Sequence, residues 1–439
     1  MSAGPLVAVG SASGISAFGT LPSGLAPTSS GTPDPGASGS IDPSSPTTPA
    51  SPSTEQSSPS SGPTGQVVTC GDDPGDELDP KQWIDEENWA TTWLRLAKAR
   101  TFASGHDVTV AVIDTGLREN PQFVGTKVAE RRAVDVIGNI VNTASAFLDC
   151  DGHGTGVASI IAAQPFKPSA LVGVAPNAKI LPIRVTPQTG AGKIEDLAEG
   201  IVWAVDNGAD IINASLETET DFPALRQAVQ YAGKKGVLIV AASGNNAKNG
   251  DPKAYPAYYS KEYSHVIAVG AIDQNGQRAD FSGTSAVTVM APGVGVLTAW
   301  PEAGNSIEEG TSFAAPYVSG VAALILDRFD KKLSPAAVRR RIEVTADAAP
   351  GRGQPDKEYG YGVVNPVEAV TAALPNLASA PPSMAPKGIP PLKPPAEPDH
   401  TIRNAALGLT GGAIAVAIGA LAGVATVRRG RARDWRPGA

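Results

Sequence analysis

The chain has 439 residues, a net charge of −8 and only 5% aromatic residues. The charge is mild and spread along the sequence, which leaves no basic stripe for nucleic acid and reads as a generic soluble surface. Length alone allows two or three domains, but large apolar side chains gather in the middle, which points to one large domain with appended segments; a core of about 270 residues buries most of the surface its unfolded chain exposes.

Residues 1–65 are Ser, Pro, Gly, Thr and Ala with almost no aromatics, and no positive charge precedes Lys81. Such a leader cannot bury enough apolar area to offset its ordering entropy, so it is expected to be disordered. Its first residues, MSAGPLVAVGSASG, lack a basic start and a solid apolar run, and make a poor signal peptide. A start placed too far downstream would account for that. Residues 66–106 form an N-terminal extension with Cys70, an acidic run and tryptophans at 83, 89 and 93. The spacing in WATTWLRLAKA predicts one short amphipathic helix. The chain has two cysteines, Cys70 and Cys150. They are either two reduced thiols of a cytosolic protein or a disulfide formed in an oxidising compartment.

From 107 to 374 short apolar runs alternate with helical stretches. Strands are predicted at 108–113, 178–185, 209–215, 237–243 and 265–272. Helices are predicted at 153–163, 194–208, 222–236, 311–329 and 334–344, the last capped by Ser334 with Pro335 at its first position. Near-continuous apolar strands alternating with helices give an α/β fold, a mostly parallel sheet covered on both faces.

Residues 375–404 are Pro-rich and read as an extended stalk. Residues 405–427 carry no charge. As a helix they span about 34 Å, enough for a bilayer core of about 30 Å. They are expected to form a single transmembrane helix, whose glycines at 408, 412, 419 and 423 offer small-residue packing faces. Five arginines follow in the tail 428–439, which places the tail in the cytoplasm and the large domain outside. The alternative is a tail-anchored chain with its large domain inside.

Three motifs carry the chemistry. VAVIDTGL puts Asp114 at the carboxyl end of a buried strand, where active groups of open parallel sheets collect. DGHGTGVASIIAA puts His153 at a helix start, and its glycines at 152, 154 and 156 permit close backbone approach. GTSFAAPYVSGVAAL puts Ser312 at the start of a long helix, whose positive end faces developing negative charge. Alone, an Asp after a strand is more often a turn residue, and a Ser before a helix an N-cap. Together they make a nucleophile, a base and a group that orients the base, in the order Asp, His, Ser. VLIVAASGNN adds Asn245, whose side-chain amide with the Ser312 N–H makes a two-donor oxyanion hole. An esterase with the same triad is disfavoured by the lack of a G-x-S-x-G elbow.

At these residues, and at IINASL, VMAPG and GYGVVNPVEAV, the chain resembles the subtilases over about 107–374. That resemblance implies a subtilisin-like three-layer fold and a serine endopeptidase acting through an acyl-enzyme on protein or peptide substrates. It implies that Asn213–Leu216, with Ser215 and Leu216, pairs with an extended substrate, and that Ser243, Gly244 and Asn245 line the pocket for the residue before the cut. Many subtilases carry glycines after the Ser-Leu pair, whereas this chain has Glu217, Glu219 and Asp221. These are read either as an acidic pocket rim or as a solvated loop. No cofactor and no metal ligand set is expected.

The Pro-rich stalk, the terminal apolar segment, the Arg-rich tail and Cys150 beside the histidine motif are similar to those of the mycosins, membrane-bound subtilases of actinobacterial type VII secretion systems. The resemblance implies a Cys70–Cys150 disulfide that wraps the extension around the domain, and a secretion membrane complex as partner. A second disulfide of that family has no cysteines here. The competing expectation is a structural part of the secretion complex whose peptidase activity is secondary.

Overall fold

A computed structural model describes residues 81–374, apart from 127, 130–132, 138–142 and 189–191. The leader, Cys70, the stalk, the apolar segment 405–427 and the tail lie outside the described residues. Among the described residues, no helix is long and apolar enough to cross a membrane.

Seven strands form one parallel sheet: β1 Thr109–Asp114, β2 Val134–Asp135, β3 Lys179–Arg184, β4 Ile211–Ala214, β5 Leu238–Ala242, β6 Val266–Ile272 and β7 Val289–Pro292. Their order is β2-β3-β1-β4-β5-β6-β7, with every neighbouring pair parallel. Alternate residues of one strand feed opposite faces. Val110 and Val112 join one apolar cluster while Ala111 and Ile113 join the other, and β5 and β6 do the same. This is why the strands read as unbroken apolar runs rather than alternating ones. Each fully buried Val or Ile contributes roughly 1.5–3 kcal/mol.

The first face is covered by α3 His153–Ala162 and α6 Thr311–Arg328, the second by α4 Ile194–Asp206 and α5 Pro223–Lys235. The helix α6 is buried all round from Thr311 to Leu326, as expected of a helix laid inside a large domain. Gly236 closes α5 in the left-handed conformation at φ 77°, where a side chain would be strained. In α7 Pro335–Thr345, Ser334 Oγ accepts from the Ala337 N–H at 3.3 Å. The short α8 Pro366–Thr371 follows.

The edge strands β2 and β7 and the short α8 are not among the predicted elements, and two further features differ from expectation. Residues 89–99 form two helices, α1 Trp89–Trp93 and α2 Leu96–Ala99, broken at Arg95 with φ 51°. Leu94 and Leu96 are both buried, and positions two apart lie on opposite sides of a continuous helix. The break turns both inward, into the core that also holds α6 and α8. An antiparallel hairpin, β8 Val296–Ala299 with β9 Asn305–Glu308, packs beside α3. Residues 81–84 run along it: Lys81 N–H donates to the Ala303 carbonyl at 3.1 Å and Ile84 N–H to Asn305 Oδ1 at 3.1 Å.

Candidate active site

β1 lies where the sheet order reverses, with later strands added on both of its sides. The crevice at the carboxyl end of such a strand is where α/β sheets bind ligands. Asp114 ends β1 there and is fully buried.

His153 opens α3, and its Nδ1 lies 2.6 Å from Asp114 Oδ1. The same oxygen accepts the Thr115 N–H at 2.8 Å. With Nδ1–H given to the carboxylate, Nε2 is left as a base. Burial pushes the imidazole pKa down, but Asp114 beside it, with Asp151 and Asp149 further off, raises it to about 9.

The loop before His153 is held by Asp149, a residue that sequence reading passed over. Its buried carboxylate accepts from Thr115 Oγ1 (2.8 Å), the Gly152 N–H (2.8 Å), and the N–H (2.7 Å) and hydroxyl (2.6 Å) of Thr155. Thr115 Oγ1 in turn accepts the Gly154 N–H at 2.8 Å. One carboxylate therefore ties the end of β1 to the start of α3. Its spacing from the motif, four residues before His153, was the only available signal. The glycines behave as the motif implied. Gly152 sits at φ 87° with a hypothetical Cβ 2.8 Å from the Trp300 ring, and a Cβ on Gly154 would fall 2.2 Å from the Gly116 carbonyl.

Ser312 lies in the first turn of α6, and the next residue, Phe313, packs its ring 4.8 Å from the His153 ring between centroids. In a regular helix the Ser312 carbonyl would accept from residue 316. That residue is Pro316, which has no N–H. The carbonyl accepts instead from Ser215 Oγ at 2.9 Å. Ser215 Oγ accepts from Asn213 Nδ2 at 2.8 Å, and Asn213 Oδ1 accepts from Ser319 Oγ at 2.8 Å. A polar relay thus runs from β4 across to α6 beneath the serine.

Asn245 stands at the loop after β5. Its Oδ1 accepts from both the N–H and the hydroxyl of Thr311 at 2.9 Å, which fixes the amide with Nδ2 turned the other way. A Cβ built on Gly310 would lie 2.9 Å from Ser312 Oγ and 3.8 Å from Asn245 Nδ2. Hydroxyl and amide therefore share the space over Gly310, at the positive end of an 18-residue helix.

The substrate-side residues are placed less uniformly. Asn213 and Ala214 are not open to a substrate strand, because β4 is already paired on both sides, with β1 and β5. Thr218 is bridged to Tyr255, so only 215–217 remain between these pairings. Leu216 packs against the second apolar cluster. Ser243 and Gly244 line a recess together with Glu217, Glu219 and Gly283. Asp221 is turned away to Arg226 and Tyr259. Cys150 is not a free thiol; the pairing expected for it involves Cys70, outside the described residues.

Residues 105–362 match the subtilase family. The chain is 39% identical over 270 residues to subtilisin DY of Bacillus licheniformis, covering 60% of this chain and 91% of that protein. It is 33% identical over 423 residues to Mycosin-1 of Mycobacterium tuberculosis, covering 84% of this chain and 91% of that one. Among solved structures, that of MycP1 with its N-terminal propeptide removed superposes with a TM-score of 0.57 at 34% identity, covering 66% of this chain and 99% of that one. MycP3 protease from the type VII (ESX-3) secretion system gives 0.55 at 32% identity, covering 68% and 90%. The chain belongs to the subtilase family and is a subtilisin-type serine endopeptidase. Within that family it is of the mycosin type.

Proposed function

We propose that this chain is a membrane-anchored serine endopeptidase whose catalytic triad is Asp114, His153 and Ser312. The observation that carries the triad is the buried 2.6 Å contact between His153 Nδ1 and Asp114 Oδ1, set beside a serine hydroxyl and an oriented amide. His153 Nε2 takes the proton of Ser312 Oγ as that oxygen attacks the substrate carbonyl carbon. Asp114 holds the imidazole in the required tautomer and stabilises its cationic form. The carbonyl oxygen, now negative, is received by Asn245 Nδ2 and the Ser312 N–H. His153 then returns the proton to the leaving amine, and water attacking the acyl-enzyme by the reverse route frees Ser312.

The mycosin type supports the same reading of the anchor and the partner. Residues 405–427 serve as the transmembrane helix, and the domain faces outward with the 428–439 tail in the cytoplasm. Cys70 pairs with Cys150 and clamps the extension beside the histidine loop. A type VII secretion membrane complex is the partner; one MycP1 relative is described as an essential component of such a system. Replacing Ser312 by Ala in cells separates chemistry from scaffolding. The expected result is normal membrane fractionation with loss of substrate processing; processing that persists, or a protein recovered free of membranes, counts against the reading.

A further inference from the structure

The loop after β4 carries an unused group. Glu217 Oε1 accepts one long hydrogen bond, 3.4 Å, from the Asn245 N–H. Its Oε2 is buried with no hydrogen bond and faces Gly244, where a Cβ would come within 2.9 Å of it. A buried carboxylate oxygen without a donor is costly, so such groups normally have a partner. The recess it lines is narrow, about 10 Å³ as it stands, with Ser243, Gly244, Ala254 and Gly283 among its other walls, so a side chain enters it only as Glu217 moves aside.

Among the described residues, the charges around it supply no counterion. Asp251 at the edge has its oxygens taken by Thr284, from the N–H at 2.7 Å and the hydroxyl at 2.6 Å. Lys253 lies over the Tyr258 ring at 4.8 Å. Glu219 is exposed on the rim and adds negative charge. Burial, with Glu219 adding to it against the Asn245 N–H, pushes the Glu217 carboxyl up to about 7.

The recess adjoins the reacting carbonyl. Its Ser243–Gly244 wall leads into Asn245, whose main-chain N–H holds Glu217 and whose side-chain amide shares the space over Gly310 with Ser312 Oγ. A substrate carbonyl carbon on Ser312 Oγ, with its oxygen on Asn245, puts the side chain of that same residue against the recess. We propose that Glu217 is the specificity-determining residue of this recess and selects a lysine or arginine side chain on the residue whose carbonyl is attacked. The arriving cation draws the carboxylate off its single long hydrogen bond and supplies the donor that Oε2 lacks. This assignment rests on the reading of Ser312 as nucleophile.

The test compares peptides differing only at that residue, lysine against norleucine, which has the same length without the charge. At pH 8.5, where Glu217 is ionised, the wild-type protein is expected to cut the lysine peptide with kcat/KM higher by about tenfold to a hundredfold. Glu217→Gln is expected to bring the two peptides level, and Glu217→Lys to favour a glutamate peptide. Equal cleavage of lysine and norleucine peptides by the wild type, or a preference untouched by Glu217→Gln, overturns the proposal. Binding of the same peptides to the Ser312→Ala protein reads the recess without the chemistry. A lysine preference there that vanishes in Ser312→Ala/Glu217→Gln upholds the proposal even if hydrolysis fails, in which case it is the catalytic reading that falls. No preference in binding or in cleavage overturns it.

Discussion

The hydroxyl of Ser215 donates to the main-chain carbonyl of Ser312 at 2.9 Å, filling the place that Pro316 leaves empty one turn along α6. The helix gains a proline where it should be weakened, and the loss is made good from a neighbouring strand. Ser215→Ala strands a buried acceptor, a cost of about 1–3 kcal/mol. Thermal unfolding should show it, with a fall in kcat and little change in KM. Adding Pro316→Ala restores an N–H to the helix, so the double variant should be more stable than Ser215→Ala alone. A double variant no better than the single would show that the carbonyl is not what Ser215 serves.

In the proposed mechanism activity needs His153 neutral, and its partners hold its pKa at about 9. The kcat/KM profile should therefore rise with pH and level off on the alkaline side. Asp151→Asn removes one of the charges that raise that pKa, so the rising limb should move to lower pH with the plateau nearly kept. Asp114→Asn should also lower the plateau, by about 10⁴. For stability the sign is opposite. The charged imidazole is favoured in the folded state, so that contribution is full below about pH 6.5 and is lost as pH rises through about 9.

Asn245 has two jobs on two atoms: Oδ1 holds the N-terminus of α6 through Thr311, and Nδ2 faces the site. Asn245→Asp keeps the acceptor and removes the donor. Its kcat should fall about a hundredfold to a thousandfold, a range drawn from subtilisin, a member of this family, while its melting temperature stays near wild type. Asn245→Ala should lose about 1 kcal/mol of stability as well. If the two variants lose equal stability, the helix-capping role is mistaken.

Asp149 receives two hydroxyls and three main-chain N–H groups from both sides of the His153 loop. Asp149→Ala leaves buried donors unpaired and should cost roughly 3–5 kcal/mol, measurable by denaturant titration. Asp149→Asn, which keeps the size and one acceptor oxygen, should be milder. A silent alanine variant would mean that the loop is held by something else.

If Cys70 and Cys150 are joined, Cys70→Ser and Cys150→Ser should each lower stability by about 4 kcal/mol, and the double variant no further. Additive losses would show that the two residues act separately.

The proposed triad stands out in the sequence because each member sits in a context with few alternative uses: an Asp ending an apolar strand, a His among three glycines, a Ser opening an apolar helix. The strands were legible because a sheet buried on both faces leaves unbroken apolar runs. Pairing was not. That β4 is closed on both sides, and so cannot take a substrate strand at Asn213, depends on where β5 lands. Asp149 and Asp151 look alike in LDCDGHGT, yet only Asp149 is sealed into the loop. In LETETD the sequence shows three acidic residues, but one turns a buried oxygen to a recess, one stands exposed on its rim and one binds Arg226. The break at Arg95 came from two buried leucines competing for one helix face, a demand of the core rather than of helix propensity.

The helices α1 and α2 have seats made of chain that comes much later. Trp89 Nε1 donates to the Val294 carbonyl at 3.1 Å, and Arg95 Nη2 to Asn365 Oδ1 at 3.3 Å. Contacts between such distant positions must wait until the intervening loops have closed. The first helices of the domain therefore cannot settle fully until those later segments have been made, and a chain stopped short of α8 would lack the helix that packs against α2. The domain closes on its own beginning, which makes its last residues the step that completes folding.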